Sequence, residues 1–218
     1  MSNATSLQQY AYDYLKNIII SGQLDENKLY SERQLSQELN ISRAPIRDAL
    51  QRLSQEEYVD VLPKRGFRIH SLTKKDIISM HQMRTAIESF CLHQYASYPD
   101  SQQTLQTLEK LKENVSAQEQ YLKSSDDISS YVDLDCRFHE LVVAGIENAW
   151  FTEAFQKYVR QLHTMTKMTL TESERIRRSV SEHVDICHII ETGDTARIND
   201  WLQQHISSPT RISLGLIR

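Results

Sequence analysis

Hydrophobic positions recur at helical spacing early in the chain, alternate briefly, and then return to helical spacing for the remainder. Leu7, Tyr10, Ala11, Tyr14, Leu15, Ile18 and Ile19 fall three or four apart on one apolar face, with Gly22 placed to end the helix. Ser31-Glu32-Arg33-Gln34 has the form of a capping box in which Ser31 accepts from the backbone and Gln34 reaches back. Leu35 and Leu39 then supply the buried positions of a short second helix over 31–39. Asn40-Ile41 breaks it, and Ser42 is placed as the next N-cap. Pro45 sits in a first turn, where no amide partner is lost, and Ile46, Ala49, Leu50 and Leu53 face inward from a third helix. Residues 59–62 and 67–69 alternate around Pro63-Lys64-Arg65-Gly66, which predicts a hairpin with a cationic tip.

After a polar link over 71–75, Thr73-x-x-Asp76 repeats the capping-box pattern and strand alternation does not return. Breakers at Pro99, Ser124-Ser125-Asp126, Gly145 to Asn148, Thr169 to Thr171, Gly193 and Pro209 divide the rest into six helices. Their expected spans are 76–97, 101–123, 127–145, 148–169, 172–192 and 194–207. Short connections make them antiparallel neighbours. The expected fold class is therefore mainly α: a winged helix-turn-helix domain over 1–70, a linker over 71–75, and a six-helix antiparallel bundle over 76–218.

Composition agrees with a globular helical chain. Of 218 residues, 39% are hydrophobic and 25% charged, with only 5 Gly and 4 Pro. Charge sharpens the division. The net charge is -4, but residues 1–75 hold 11 Lys and Arg against 9 Asp and Glu, whereas residues 76–218 hold 14 against 20. Arg43, Arg47, Arg52, Lys64, Arg65 and Arg68 crowd one stretch, which makes it the segment suited to a polyanion. The three cysteines, Cys91, Cys136 and Cys187, are odd in number and far apart, as in a reducing compartment. The chain shows neither an apolar run long enough to span a bilayer nor the features of a signal peptide, so a cytoplasmic location is expected.

The polar residues on the predicted helices carry the candidate chemistry. Arg43 and Arg47 lie four apart, opposite the inward leucines, near the end of the third helix that would enter a major groove. An arginine fork can span O6 and N7 of guanine. In the second half, Asp135 and His139 share a helix face at i and i+4. His183 and His205 lie 22 apart about Gly193, so they return to nearly the same level of a helical hairpin. Three imidazoles and a carboxylate suit Zn²⁺, Ni²⁺ or Mn²⁺. A lone helical histidine is more often a packed or surface residue, and with 8 histidines chance pairs are easy, so spacing alone leaves the metal open. His188 falls about 140° round the helix from His183 and is read as packing or surface. No P-loop, GxGxxG, HExxH or GxSxG is present.

Segment 29–53, LYSERQLSQELNISRAPIRDALQRL, followed by PKRGFRI over 63–69, resembles the DNA-binding domain of the GntR family of bacterial transcription regulators. The resemblance implies operator contacts from Arg33, Ser42, Arg43, Ala44, Pro45, Arg47, Arg65 and Gly66. Two positions depart from it: Glu57 stands where a glycine is usual after the recognition helix, and Asn27 where a turn glycine is common. Asn tolerates the left-handed conformation and Glu does so poorly. In the second half, DCRFH over 135–139, EH at 182–183, the segment 188–196 and His205 resemble the FCD ligand-binding domain of the FadR subfamily, in its shorter VanR-type form. That likeness implies a divalent metal, zinc first, on Asp135, His139, His183 and His205. It also implies a small carboxylate effector near Arg84, with Arg160 as a further candidate. The function implied is a homodimeric, metabolite-responsive regulator, more commonly a repressor, that binds double-stranded operator DNA and no membrane. Two rivals remain: a regulator for which the metal itself is the signal or a structural support, and a metalloenzyme, which lacks an obvious general base.

Overall fold

The computed structural model describes residues 3–21, 23–25, 28–124, 128–170 and 173–217. The expected cap at Gly22 and the departure at Asn27 lie outside the described residues. The chain divides into two compact units, Met1–Ser71 and Leu72–Arg218.

In the first unit α1 (Asn3–Ile20), α2 (Glu32–Glu38) and α3 (Arg43–Gln55) precede the antiparallel hairpin β1 (Val59–Leu62) and β2 (Gly66–Ile69). Ala11, Leu15, Ile46, Leu50, Leu53, Tyr58 and Phe67 form its core. The apolar face of α1 is shifted from the expected one. Leu7 and Tyr10 are exposed, while Tyr12 is buried and donates its hydroxyl to Glu56 at 2.6 Å. Ser31 caps α2 by accepting from Arg33 N–H at 3.1 Å, one residue ahead of the capping-box geometry. The tight break between α2 and α3 is made by Asn40 at φ 51°. Glu57 adopts φ 59° after α3, so the turn that a glycine would ease is retained with a strained glutamate. Gly66, at φ 122°, is required for a second reason: a Cβ there would lie 2.0 Å from Tyr30 O. That proximity lets Tyr30 and Phe67 exchange both backbone hydrogen bonds, at 2.7 and 2.9 Å, and fasten the hairpin to the chain entering α2.

The second unit is helical throughout: α4 (Lys74–Ser97), α5 (Gln102–Ser124), α6 (Ile128–Ala144), α7 (Ala149–Thr169), α8 (Ser173–Thr192), α9 (Ile198–Leu202) and α10 (Ser208–Leu216). The capping box at Thr73 and Asp76 forms in both directions, so α4 starts two residues ahead of expectation. Helix α4 is apolar on several sides and packs against α6, α7, α8, α9 and α10. Ile77, Met80, Leu92 and Tyr95 from α4 meet Phe138, Val142, Ile186 and Ile206 in the core. Gly193 at φ 68° ends α8: its N–H bonds Ile190 O and the Asp194 N–H bonds Ile189 O, the paired bonds of a Schellman cap.

The last expected helix, 194–207, is not a single one. A 3-10 turn at Thr195–Arg197 leads into α9, a π-helical turn spans Gln203–Ser207, and α10 runs on to Leu216. Pro209 does not stop the chain because it falls in the first turn of α10, directly after the π turn. The widened turn accommodates a ring that would press on the carbonyl four residues back in a regular helix.

Candidate metal centre and nucleic-acid interface

The first unit presents its cations around one cleft of about 720 Å³ between α3 and the hairpin, lined by Glu32, Arg43, Arg47, Lys64, Arg65 and Gly66 among others. Arg43 and Arg47 project from the start of α3, and both reach the Glu32 carboxylate, at 3.5 and 3.0 Å. One carboxylate at the start of α2 thus holds two exposed guanidinium groups side by side. Arg33, Ser42 and Ala44 are exposed, and the Ser42 hydroxyl makes no capping bond. Pro45 is buried, so it shapes the first turn of α3 instead of reaching outward. Lys64 and Arg65 are exposed at the hairpin turn. Not every cation of this stretch is of that kind. Arg52 lies 3.8 Å over the Tyr12 ring and bonds Glu56, and Arg68 bonds Asp60 across the hairpin.

In the second unit three buried imidazoles converge. His139 from α6, His183 from α8 and His205 from the π turn have ligand atoms within 4.8 Å of one another. His205 Nε2 lies 3.1 Å from His139 Nε2 and 3.2 Å from His183 Nε2. Each ring is tied through its other nitrogen. His139 Nδ1 is 2.6 Å from Glu88 Oε2, His183 Nδ1 is 2.8 Å from Gln118 Oε1, and His205 Nδ1 is 2.7 Å from Glu182 Oε2. A carboxylate or amide oxygen only accepts, so every Nδ1 carries a proton, and a neutral ring then presents the lone pair at Nε2. For His139 the other side gives the same answer, because Arg84 Nη2, a donor only, stands 3.0 Å from its Nε2.

Three lone pairs aimed at one another repel unless a cation lies among them. Nitrogens each about 2.0–2.1 Å from a zinc ion are separated by about 2.8–3.0 Å at octahedral angles and about 3.3–3.4 Å at tetrahedral ones, an interval of about 2.8–3.4 Å. The observed separations fall in that interval, and the Nδ1 acceptors are the supports that metal-ligating histidines use. Asp135 stands beside them, its Oδ1 3.9 Å from His183 Nε2 and accepting from Ser179 Oγ at 2.8 Å. The three imidazoles therefore fit a divalent ion, while Asp135, the fourth expected ligand, stands outside the group whose ligand atoms lie within 4.8 Å of one another.

Packing and charge disfavour the imidazolium form of His183 and His205. Phe138 stacks on His183 at 3.9 Å and Trp201 on His205 at 4.5 Å. Burial, together with neighbouring His205, His139, Arg175 and Arg84, pushes the His183 pKa well below its ordinary value. Burial also lowers that of His205, although Glu182 pulls the other way. Burial opposes ionisation of Glu88, but Arg84 and His139 outweigh it and hold the carboxyl at about 2. Arg84 is itself buried and donates from Nε to Glu88 Oε1 at 2.7 Å. That is the intrahelical pair its spacing allowed, made inside the protein.

A cavity of about 20 Å³ adjoins the cluster, lined by Arg84, Asp135, His139, Arg175, Ser179 and His205 among others. Met165, Thr166, Thr169 and Leu170 at the end of α7, and Pro209, also line it. Arg175 bonds Glu182, while its Nε is buried without a hydrogen-bond partner. Sequence reasoning put forward Arg160 as the second arginine; its side chain lies outside the described residues. Arg175, Gln118 and Glu182 were missed, as was the contact of Glu88 with His139. Only Glu182, next to His183, had a signal in its position. His188 is exposed.

Residues 79–208 match the FCD domain family, and residues 7–69 match that of the bacterial regulatory proteins, gntR family. The gluconate operon transcriptional repressor of Bacillus subtilis (strain 168) is 24% identical over 210 residues, spanning 94% of this chain and 84% of that protein. The HTH-type transcriptional repressor RspR of Escherichia coli (strain K12) is 25% identical over 203 residues, spanning 92% and 86%. Among solved structures, a GntR transcriptional regulator from Rhodococcus sp. RHA1 superposes with a TM-score of 0.81 at 16% identity, covering 98% of this chain and all of that one. E. coli McbR/YncC gives 0.67 at 18% identity, covering 97% and 99%. The structural likenesses concern the fold. Among the described residues no helix is long and apolar enough to cross a membrane.

Proposed function

The chain belongs to the gntR family of bacterial regulatory proteins and carries an FCD domain, so it is a DNA-binding transcription regulator and not an enzyme; from that premise we propose that its second unit binds one divalent metal and, beside it, a small carboxylate. His139, His183 and His205 with Asp135 are the ligands, and zinc, nickel and manganese are the ions this donor set takes. The observation that carries the reading is the shared orientation of the rings: three Nδ1–H groups anchored outward and three Nε2 lone pairs turned to one point. When bound, such an ion supplies an electrophilic centre on which a carboxylate oxygen can rest.

Arg84 and Arg175 supply the remaining recognition. Arg84 keeps its Nε bond to Glu88, its Nη2, now 3.0 Å from His139 Nε2, is released to the chamber once His139 holds the ion, and Arg175 brings a buried Nε that still lacks an acceptor. A carboxylate there meets forked donors and relieves that deficit. The cavity as it stands holds about one water molecule, so any larger occupant must displace the wall formed by the end of α7 and Pro209. An acid that binds the opened arrangement more tightly shifts the population toward it, and one that binds both equally shifts nothing. The same small volume favours a second reading, in which the metal alone is the signal.

In the first unit, Arg43 and Arg47 read base edges in the major groove, with Ser42, Arg33 and the Lys64-Arg65 turn on the phosphates. Two copies on a pseudo-palindromic operator, acting as a repressor, complete the proposal. The test is elemental analysis of the purified chain and of His139→Ala, followed by thermal-shift screening of small carboxylic acids with and without chelator. About one ion per chain that His139→Ala loses, and an acid response that chelation abolishes, support the reading. Metal without any acid response favours the metal-only reading, and unchanged metal in His139→Ala removes the ligand assignment.

A further inference from the structure

We infer that Asn114 is a positioning residue of the histidine cluster: acting through Gln118, it sets which nitrogen of His183 carries the proton and so keeps the Nε2 lone pair turned to the ion position. The inference rests on the metal reading above and adds the group that decides whether His183 can serve as a ligand.

Two of the imidazoles lean on carboxylates and the third on an amide. An ionised carboxylate has no donor end, so Glu88 and Glu182 leave His139 and His205 a single arrangement. Gln118 is different. Its amide has an acceptor end and a donor end of nearly the same shape, and turning it over would present N–H groups to His183 Nδ1. Nδ1 would then accept, and the ring proton would sit on Nε2. That tautomer has a bond to gain, because His205 Nε2, 3.2 Å away, would accept from it. It has no lone pair left at Nε2 for a metal.

The choice between the two is made two links away. Asn114 and Gln118 share one side of α5 at i and i+4, and Gln118 Nε2 donates to Asn114 Oδ1 at 2.7 Å. Asn114 Nδ2 donates in turn to Leu134 O of α6 at 3.2 Å. A backbone carbonyl can only accept, so it fixes the donor end of Asn114. The acceptor end of Asn114 then fixes the donor end of Gln118, which leaves Gln118 Oε1 for His183 Nδ1 at 2.8 Å. Turning Gln118 alone would set two amide oxygens face to face, and turning both amides would move that conflict to Leu134 O. The Tyr131 hydroxyl, 3.4 Å from Gln118 Oε1, agrees with this order but does not impose it, since a hydroxyl can donate or accept. Burial removes the alternative of water. Asn114 is 8% exposed, and Gln118, Tyr131 and His183 are 0% exposed. Leu134 directly precedes Asp135, so the relay is anchored on the turn of α6 that carries the proposed carboxylate ligand.

The experiment reads the tautomer directly, by nitrogen NMR of the full chain with isotope-labelled histidine, at neutral pH in chelator. The His183 signals are identified by their loss in His183→Gln. Zinc affinity is measured separately against a competing chelator. The variants are Asn114→Leu, Gln118→Glu and the two combined. Wild type is expected to carry the His183 proton on Nδ1. Asn114→Leu is expected to move it wholly or partly to Nε2 and to lower zinc affinity about 10-fold, the lower end of the range for groups that orient a ligand. Gln118→Glu offers an acceptor whichever way it is turned, so Asn114→Leu in that background should leave the proton on Nδ1 and cost less than about 2-fold. An equal loss in both backgrounds makes Asn114 merely structural and overturns the inference. So does Asn114→Leu with the proton still on Nδ1, or a wild type with it on Nε2. If Asn114→Leu fails to fold, Asn114→Ala decides by the same readings. A wild type that takes up no zinc overturns the metal reading, and the tautomers alone then decide the relay.

Discussion

Replacing Glu88 with alanine tests the network that orients the cluster. Glu88 is fully buried and serves two partners, Arg84 Nε at 2.7 Å and His139 Nδ1 at 2.6 Å. Its removal leaves a buried guanidinium without its counter-charge, a change that destabilises by about 3–5 kcal/mol. The abandoned His139 N–H is a further loss, but both bonds belong to one network and their losses do not add. A decrease of about 3–5 kcal/mol in a unit of this size lowers Tm by roughly 6–20 °C. The second effect is on the metal. Losing the group that fixes a ligand's ring lowers affinity about 10–100-fold. Glu88→Gln keeps an acceptor for His139 while removing the charge, so it should lose less metal affinity than stability. Thermal unfolding followed by circular dichroism, with zinc affinity measured against a competing chelator, reads both quantities. A Glu88→Ala protein within about 1 kcal/mol of wild type and with undiminished zinc affinity refutes the reasoning.

Arg43→Ala should weaken selected duplexes by about 1–3 kcal/mol and relax one base preference, whereas Lys64→Ala should weaken all duplexes alike and flatten the salt dependence. Selection from a random duplex library, followed by titrations at several salt concentrations, separates the two. Gly66→Ala should destabilise the first unit by at least about 1–3 kcal/mol, because the residue is left-handed and its Cβ would meet Tyr30 O; an unshifted urea midpoint for that unit would count against this. The metal-free second unit should also lose stability in acid. Burial depresses the His183 and His205 pKa values in the folded state, so below the ordinary histidine pKa of about 6.5 the unfolded chain binds protons that the folded chain refuses. That stability is complete above about pH 6.5 and falls by up to about 1.4 kcal/mol per histidine for each pH unit below it. Equal urea midpoints at neutral pH and one to two units lower, in chelator, would contradict this.

Much of the fold could be read from local chemistry. Thr73 and Asp76, Asn148 at the start of α7, and Gly193 after α8 mark helix ends through their own side chains or backbone freedom, and the helices begin or end there. The reading failed where context overruled local preference. Glu57 is left-handed although glutamate resists it, since the chain must turn from α3 into β1. Pro209 follows a π turn that no residue type announces, and that same turn carries His205 into the cluster. The four proposed ligands were marked by the resemblance to the FCD domain, since spacing alone left the metal open. Their supports were not. Gln118 is one amide on a polar helix, and only the structure shows it accepting from His183 Nδ1. The i, i+4 spacing of Arg84 and Glu88 makes them neighbours along a helix but does not say whether that side is turned inward. Arg175 is one of three arginines within four residues at the start of α8, and only packing distinguishes it from Arg177 and Arg178.

The central claim is that the three Nε2 atoms share an ion, and the most direct measurement is X-ray absorption at the metal edge of the purified chain after loading with zinc. The account predicts about one zinc per chain, with three imidazole nitrogens and at least one oxygen at about 2.0–2.2 Å. A chain that retains no zinc after loading, or holds it through sulfur or fewer than three imidazoles, would contradict it.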